Sequence, residues 1–480
     1  MNPNGTALPL VDKLRTRALV VGVVGAALAV VGRMSNPYQF DRAYLFSFMF
    51  VLGLSLGSMA LLMVHRQLGG AWGFLVRRPL EAGAMNLPLV AVLFIPILVD
   101  LERIYPWVNH PPGAESHAEH ESAGHATAGR PAPDQAAGEH KQAAPANTEG
   151  HPSNKTELHP GDKPEAKGNP AARNELGTFP GALGVRRDPL EKDTTDLFAF
   201  KRWWLTPTHF TIRAAIYFFI WIVMAAILNI GSRRQDETRS WDVAYNLQSF
   251  SAPGIVVYFL TTSLAIVDWA MSLEPEWYSS LFGVLLMIGQ GLSTISFMII
   301  MTSILARRGE TDGLDTRETF NDLGNLMLAF TMLWGYLSFS QFLIIWSGNL
   351  AEEIPWYARR LSFGWVNFGR FLMVMHFFVP FLILLCRPLK RNLDALKWVA
   401  GLMIFMRLCD VYWQVTPSFN PNGVEGPQPF LNCVSWLDLA VPAGLIGLWF
   451  SAFLWNLRGK PLMVAADPEL QAAFKQAGGH

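Results

Sequence analysis

Ten stretches of this chain are each apolar over about twenty residues, and no other feature narrows the available folds as far. They recur near 17–33, 43–64, 82–103, 208–230, 252–272, 280–305, 325–347, 364–386, 394–415 and 434–456. A hydrocarbon core of roughly 30 Å takes about 20 helical residues to cross, so each stretch is long enough to span. In lipid a backbone can bond only to itself, which leaves helices and closed barrels. Continuous apolar runs, rather than short alternating ones, exclude the barrel. The expectation is an all-α integral membrane protein of about ten transmembrane helices. Composition agrees: 51% of the 480 residues are hydrophobic and 16% are charged, where soluble domains carry about 25%.

The first run follows Arg15 and Arg17 and reads "ALVVGVVGAALAVVG", which fits a first membrane helix or a cleaved signal peptide. Orientation follows from arginine and lysine in the short loops. One set of helix ends carries seventeen of them: Lys13, Arg15, Arg17, Arg66, Arg77, Arg78, Arg233, Arg234, Arg239, Arg307, Arg308, Arg317, Arg387, Lys390, Arg391, Arg458 and Lys460. The other set carries four: Arg33, Arg42, Arg359 and Arg360. Both termini are therefore expected on the cytoplasmic side of the membrane, with the long 104–206 segment on the opposite, periplasmic side. Residues 108–190 within it are rich in Ala, Pro, Gly, His and Glu and nearly free of large apolar side chains, the composition of a disordered insertion. Its seven histidines are irregularly spaced on no rigid element, so no metal site is expected from them. The chain thus divides into helices one to three (1–107), the insertion (108–190), an interfacial segment with helices four to ten (191–460) and a tail (461–480).

Ionisable groups inside apolar helices cost about 2.5–3.5 kcal/mol on insertion scales, so each is a candidate for function. His376 falls near the middle of helix eight, and Ser338 and Gln341 fall in the periplasmic half of helix seven. Arg407 and Asp410, three apart on helix nine, share a face and can neutralise each other. Asp268, Asp100 and Asp438 approach the same side, which suggests a polar funnel opening to the periplasm. Towards the cytoplasm stand His65, ending helix two, and Glu81, starting helix three. Each also has a plain structural reading: a core histidine, an ion pair, headgroup-level side chains, hydroxyls bonded back to their own helix.

The three cysteines form no CxxC or CxxCH, so no iron-sulfur or covalent haem site is encoded. Lysine plus arginine and aspartate plus glutamate stand at 38 each, without the basic excess of a nucleic-acid binder.

Several longer strings carry more specific information: "YLFSFMFVLGLSLGSMALLMVHRQLGGAWGFLVRRPLEA", "SAPGIVVYFLTTSLAIVDWAMSLEPEWYSSLFG" and "QFLIIWSGNLAEEIPWYARR", with "LPLVAVLFIPI", "IYPW" and a closing "DPEL". Together they resemble the ActF-type subunits of bacterial alternative complex III, within the NrfD-like (polysulfide reductase membrane subunit) group. The small-residue strings "GLSLGSMA" and "GQGLST", four helices apart, separately suggest an internal duplication into two four-helix bundles, helices two to five and six to nine, with flanking helices. The resemblance implies a membrane subunit of a quinol:cytochrome c (or other high-potential acceptor) oxidoreductase. The partners would be a paralogous NrfD-like membrane subunit, a periplasmic iron-sulfur protein and c-type cytochrome subunits. Haem and iron-sulfur clusters would sit in those partners, none being expected in this chain, and quinol would be the reductant. The 108–190 insertion departs from the family pattern. The role the resemblance implies for this chain is a proton path, and the polar residues singled out above, His376, Asp268, Arg407, Asp410, Gln341, Ser338, His65 and Glu81, are the candidates to line it. The alternatives are a purely structural scaffold and a subunit with its own quinone site. In the loop after helix seven, Arg359 and Arg360 are expected to pair with Glu352 and Glu353 or with acids on a partner.

Overall fold

Prolines and capping side chains decide where these helices start and stop. In a computed structural model that describes residues 8–109, 201–306, 316–350, 353–419 and 429–458, α1 (Leu8–Ser35) gives way to α2 (Pro37–Leu68) at Asn36. The Asn36 side chain caps Gln39 N–H, and Pro37 takes the first helical position, where its missing N–H costs nothing. All but the first two residues of the 108–190 insertion, together with Arg307, Arg308, Glu352 and the 461–480 tail, lie outside the described residues. The described residues belong to one compact unit and contain no strand.

Helix three, expected as one run over 82–103, is a broken rod of α3 (Ala71–Ala84), α4 (Leu87–Leu93), α5 (Ile95–Val99) and α6 (Leu101–Ile104). Pro79 lies inside α3, and prolines open α4 and α5; each removes a helical donor and crowds the preceding turn. Helix formation starts earlier than expected, so Glu81 lies well inside α3. Next come α7 (Pro207–Thr238), capped by Thr206, and α8 (Trp241–Trp269), capped by Ser240. The second half comprises α9 (Ser280–Ala306), α10 (Thr316–Gly348), the short α11 (Ile354–Leu361) and helix eight. Helix eight is α12 (Trp365–Leu372), a π-helical turn over Met373–Phe378 and α13 (Val379–Leu385). The short α14 (Arg387–Lys390), α15 (Leu393–Val415), the short α16 (Phe430–Cys433) and α17 (Leu437–Leu457) complete the described chain.

Among the described residues, nine helical segments are long and apolar enough to cross a membrane. The tenth expected span, 394–415, is present as the 23-residue α15. It is long enough, at about 35 Å, but Asp394, Lys397, Arg407 and Asp410 make it too polar to count with the nine. Large apolar side chains fill the interior and also cover much of the exterior. Val30, Phe219, Leu439 and many similar side chains are exposed, while Asp41, Arg77, Arg360, His376 and Arg407 are buried. The outer surface is thus suited to lipid and the interior holds the charge.

Two groups of helices meet along α2 and α9. α2 packs on α3, α4 and α8, with α7 against α8 and α4; α9 packs on α10 and α15, with α10 against α13 and α12 against α15. The seam is close because Gly53 and Gly57 face α9: a Cβ on Gly57 would lie 2.3 Å from Thr294 Oγ1. α1 runs antiparallel to α17, with Gly22 on Gly447 and Gly25 on Gly444, where an added Cβ would come within 2.4 Å of the Gly444 Cα. The first apolar run is therefore a packed helix of this fold.

Candidate functional site

The π-helical turn places His376 at the centre of the second group, fully buried, with neither ring nitrogen bonded. π-helical turns insert one residue into a helix and re-aim the side chains around them. The Trp334 ring meets the imidazole edge-on, with centroids 4.1 Å apart. The same indole donates from Nε1 to Asp410 Oδ2 at 3.3 Å. Asp410 also accepts from Gln414 Nε2 at 3.0 Å and is ion-paired to Arg407. The spacing of three and four on α15 makes this geometry: Arg407, Asp410 and Gln414 fall on one stripe. The Arg407 guanidinium rests against the bare backbone of Gly289 on α9, where a Cβ would lie 1.9 Å from Nη2.

The polar chain continues to one end of the bundle. The buried Arg360 of α11 donates from Nη1 to Glu274 Oε1 at 3.2 Å and to Trp356 O at 2.9 Å, and from Nη2 to Ser418 Oγ at 2.7 Å and to Gln414 O. Its guanidinium lies 3.6 Å from the Trp356 ring centroid, and Trp356 in turn stacks on Trp277. Ser418 donates to the same Glu274 oxygen at 2.6 Å. Burial lowers the Arg360 pKa to about 10, with Glu274 opposing the fall, so it stays cationic near neutral pH. Arg359, partly exposed, is 3.7 Å from Glu274. Both arginines of α11 turn to Glu274, in the loop after α8; Glu352, one of the partners expected from the sequence, lies outside the described residues.

Gln341 is buried with neither amide atom bonded. Trp334, Ser338 and Gln341 follow a four-then-three spacing on α10, so the half-buried Ser338 lies between the other two on one face. Asp268 is held elsewhere. Arg213 bonds it at 2.8 and 2.9 Å, Trp204 Nε1 at 2.7 Å and Tyr217 OH at 3.0 Å, so its bonds go to α7 and the segment just before it rather than to Arg407 and Asp410. Asp100 and Asp438 are likewise paired, with Arg33 at 2.7 Å and Arg42 at 3.0 Å. The single polar funnel expected from the sequence is resolved into separate ion-paired sites at one end of the bundle.

At the opposite end Glu81 is buried against Arg77 and Arg78, at 3.2 and 2.8 Å, and accepts from Ser232; Gln235 and Asp236 complete the cluster. His65 is buried too, with Nε2 3.2 Å from Gly70 O and its ring against Trp72. Three partners had no signal strong enough to single them out: Gln414, Glu274 and Gly289. Of these, the spacing of Asp410 and Gln414 alone was readable. No group of three or more His, Cys, Asp or Glu among the described residues is placed to hold a metal ion.

Fold and site together define an all-α, multi-pass membrane architecture with charged groups enclosed in a helix bundle. Neither a protein-family profile nor a curated protein matches this chain.

Proposed function

We propose that this chain is an integral membrane subunit of a quinol:cytochrome c (or other high-potential acceptor) oxidoreductase, contributing a proton-conducting path and anchoring periplasmic redox subunits. In this reading ten helices span a bacterial inner membrane, both termini are cytoplasmic and the Glu274 end is periplasmic. A paralogous NrfD-like subunit lies alongside, and the iron-sulfur and c-type cytochrome partners hold the redox groups. The family likeness of the long polar-aromatic strings supports the complex.

One observation carries the proton path: His376 is buried with both nitrogens unbonded, beside an indole that also bonds the Arg407–Asp410 pair. An unbonded buried imidazole costs about 1–3 kcal/mol, a cost met when a water molecule bonds to it. Quinol oxidation releases two protons with two electrons, so a conducting side chain nearby has a use. Arg360, Gln414 and Asp410 would lead from the Glu274 end to His376, and Glu81 and His65 would serve the other end.

The test is His376→Leu in the assembled complex. The reading expects a lower proton-to-electron ratio or slower turnover with assembly intact. Unchanged values for both remove the relay. A scaffold role gains from Asp268, both of whose carboxylate oxygens are bonded within the bundle, and predicts that bundle substitutions alter assembly alone.

A further inference from the structure

Six arginines near the Glu274 end have carboxylate partners: Arg33 with Asp100, Arg42 with Asp438, Arg103 with Asp41, Arg213 with Asp268, and Arg359 and Arg360 with Glu274. Arg370 differs. It is exposed on α12, five residues past Trp365, and its bond goes to the neutral Asn367 Oδ1 at 3.1 Å. No carboxylate among the described residues pairs with it. That distance is about 8 Å along the helix, a depth from which an arginine stem can carry its head back to the interface.

Asn367 also lines a groove of about 430 Å³, whose walls are Phe363, Phe368, Phe371, Phe430 and Leu431. Phe368 and Phe430 are stacked with centroids 5.2 Å apart, while Phe371 and Leu431 are exposed. Phe363 and Gly364 both have positive φ, 49° and 88°, and this left-handed turn folds the chain back so that Phe430 N–H reaches Phe363 O at 3.0 Å. The result is an apolar slot with a cation at its rim.

We propose that Arg370 and this groove bind one anionic phospholipid, with the phosphate on the guanidinium and an acyl chain between the phenylalanines. The charge decides the class of ligand. A neutral quinone leaves Arg370 without a counterion, and a zwitterionic headgroup brings an ammonium that competes for the same phosphate. A phosphodiester without an ammonium matches both parts of the site. The site requires only that α12 span a bilayer and is independent of the proton path.

Native mass spectrometry of the purified full chain, titrated with phosphatidylglycerol or phosphatidylcholine, tests it. One arginine near an anionic surface corresponds to roughly fivefold in affinity, so the first phosphatidylglycerol should bind about that much tighter than the first phosphatidylcholine. Arg370→Gln should abolish the preference, and Phe371→Ala should weaken both lipids alike. Equal binding of the two lipids to the unaltered chain overturns the site, as does a preference that survives Arg370→Gln. Displacement of the first lipid by a short-chain quinone would assign the groove to quinone instead. Should Arg370→Gln not fold, the two-lipid comparison on the unaltered chain and Phe371→Ala still decide.

Discussion

Arg407 and Asp410 show what a buried pair demands of its surroundings. Both are buried, and Asp410 also takes hydrogen bonds from Trp334 and Gln414. Removing one partner leaves the other as an uncompensated buried charge, a loss of about 3–5 kcal/mol in comparable pairs. Asp410→Ala should therefore lower the thermal stability and yield of the chain, read by thermal unfolding in detergent. Replacing both, Arg407→Met with Asp410→Leu, should restore most of that stability. If the pair belongs to a proton path, the double variant recovers assembly without recovering the proton-to-electron ratio. The pair itself was legible, because a spacing of three on a helix brings side chains together. Of its surroundings only Gln414, four positions on, was readable, since Trp334 lies 76 positions away on another helix.

At the scale of the elements, small residues set how closely helices approach, and close approach sets which polar groups meet. Gly289 is the clearest case, because the Arg407 guanidinium occupies the space its side chain would take. Gly289→Ala retains every charge yet must displace Arg407 or separate α9 from α15. A cost of about 1–3 kcal/mol is expected from overpacking, seen as a lower unfolding temperature, together with lost proton coupling if the site conducts. Gly25→Val makes the corresponding prediction for α1: its side chain would enter the backbone of Gly444, so α1 should detach from α17. Protease sensitivity of α1 alone, with the rest of the chain intact, is the expected signature. The break-up of helix three follows the same logic in reverse, since proline positions were visible in the sequence but the earlier start of α3 was not. That start places Arg77, Arg78 and Glu81 within one helical stretch, where they enclose each other.

For the whole molecule, the outer surface is apolar and the charged groups are gathered at the two ends and in the middle. Under the proposed orientation Glu276, exposed beyond α8, faces the periplasm, and Thr238, exposed at the end of α7, faces the cytoplasm. In a background lacking Cys386, Cys409 and Cys433, a Glu276→Cys variant should react with a membrane-impermeant maleimide in intact cells. Thr238→Cys should react after permeabilisation only; the opposite pattern reverses the topology. The four arginines that run against the loop bias, Arg33, Arg42, Arg359 and Arg360, are all held by Asp100, Asp438 and Glu274. Ion pairing explains how that end of the bundle accommodates them.

The sequence by itself determined the helical class, the approximate spans and the short-range pairs, because hydropathy and helical periodicity act over a few turns of one chain segment. Asn36, Thr206 and Ser240 as caps belong to the same local physics. Only the tertiary structure decided that Asp268 belongs to Arg213, that Glu274 holds Arg360, and that His376 meets Trp334 with its nitrogens unbonded. Those contacts join segments far apart in the chain. Their partners are selected by helix rotation, glycine-controlled spacing and a π-helical turn, none of which the order of polar residues along a single helix can fix.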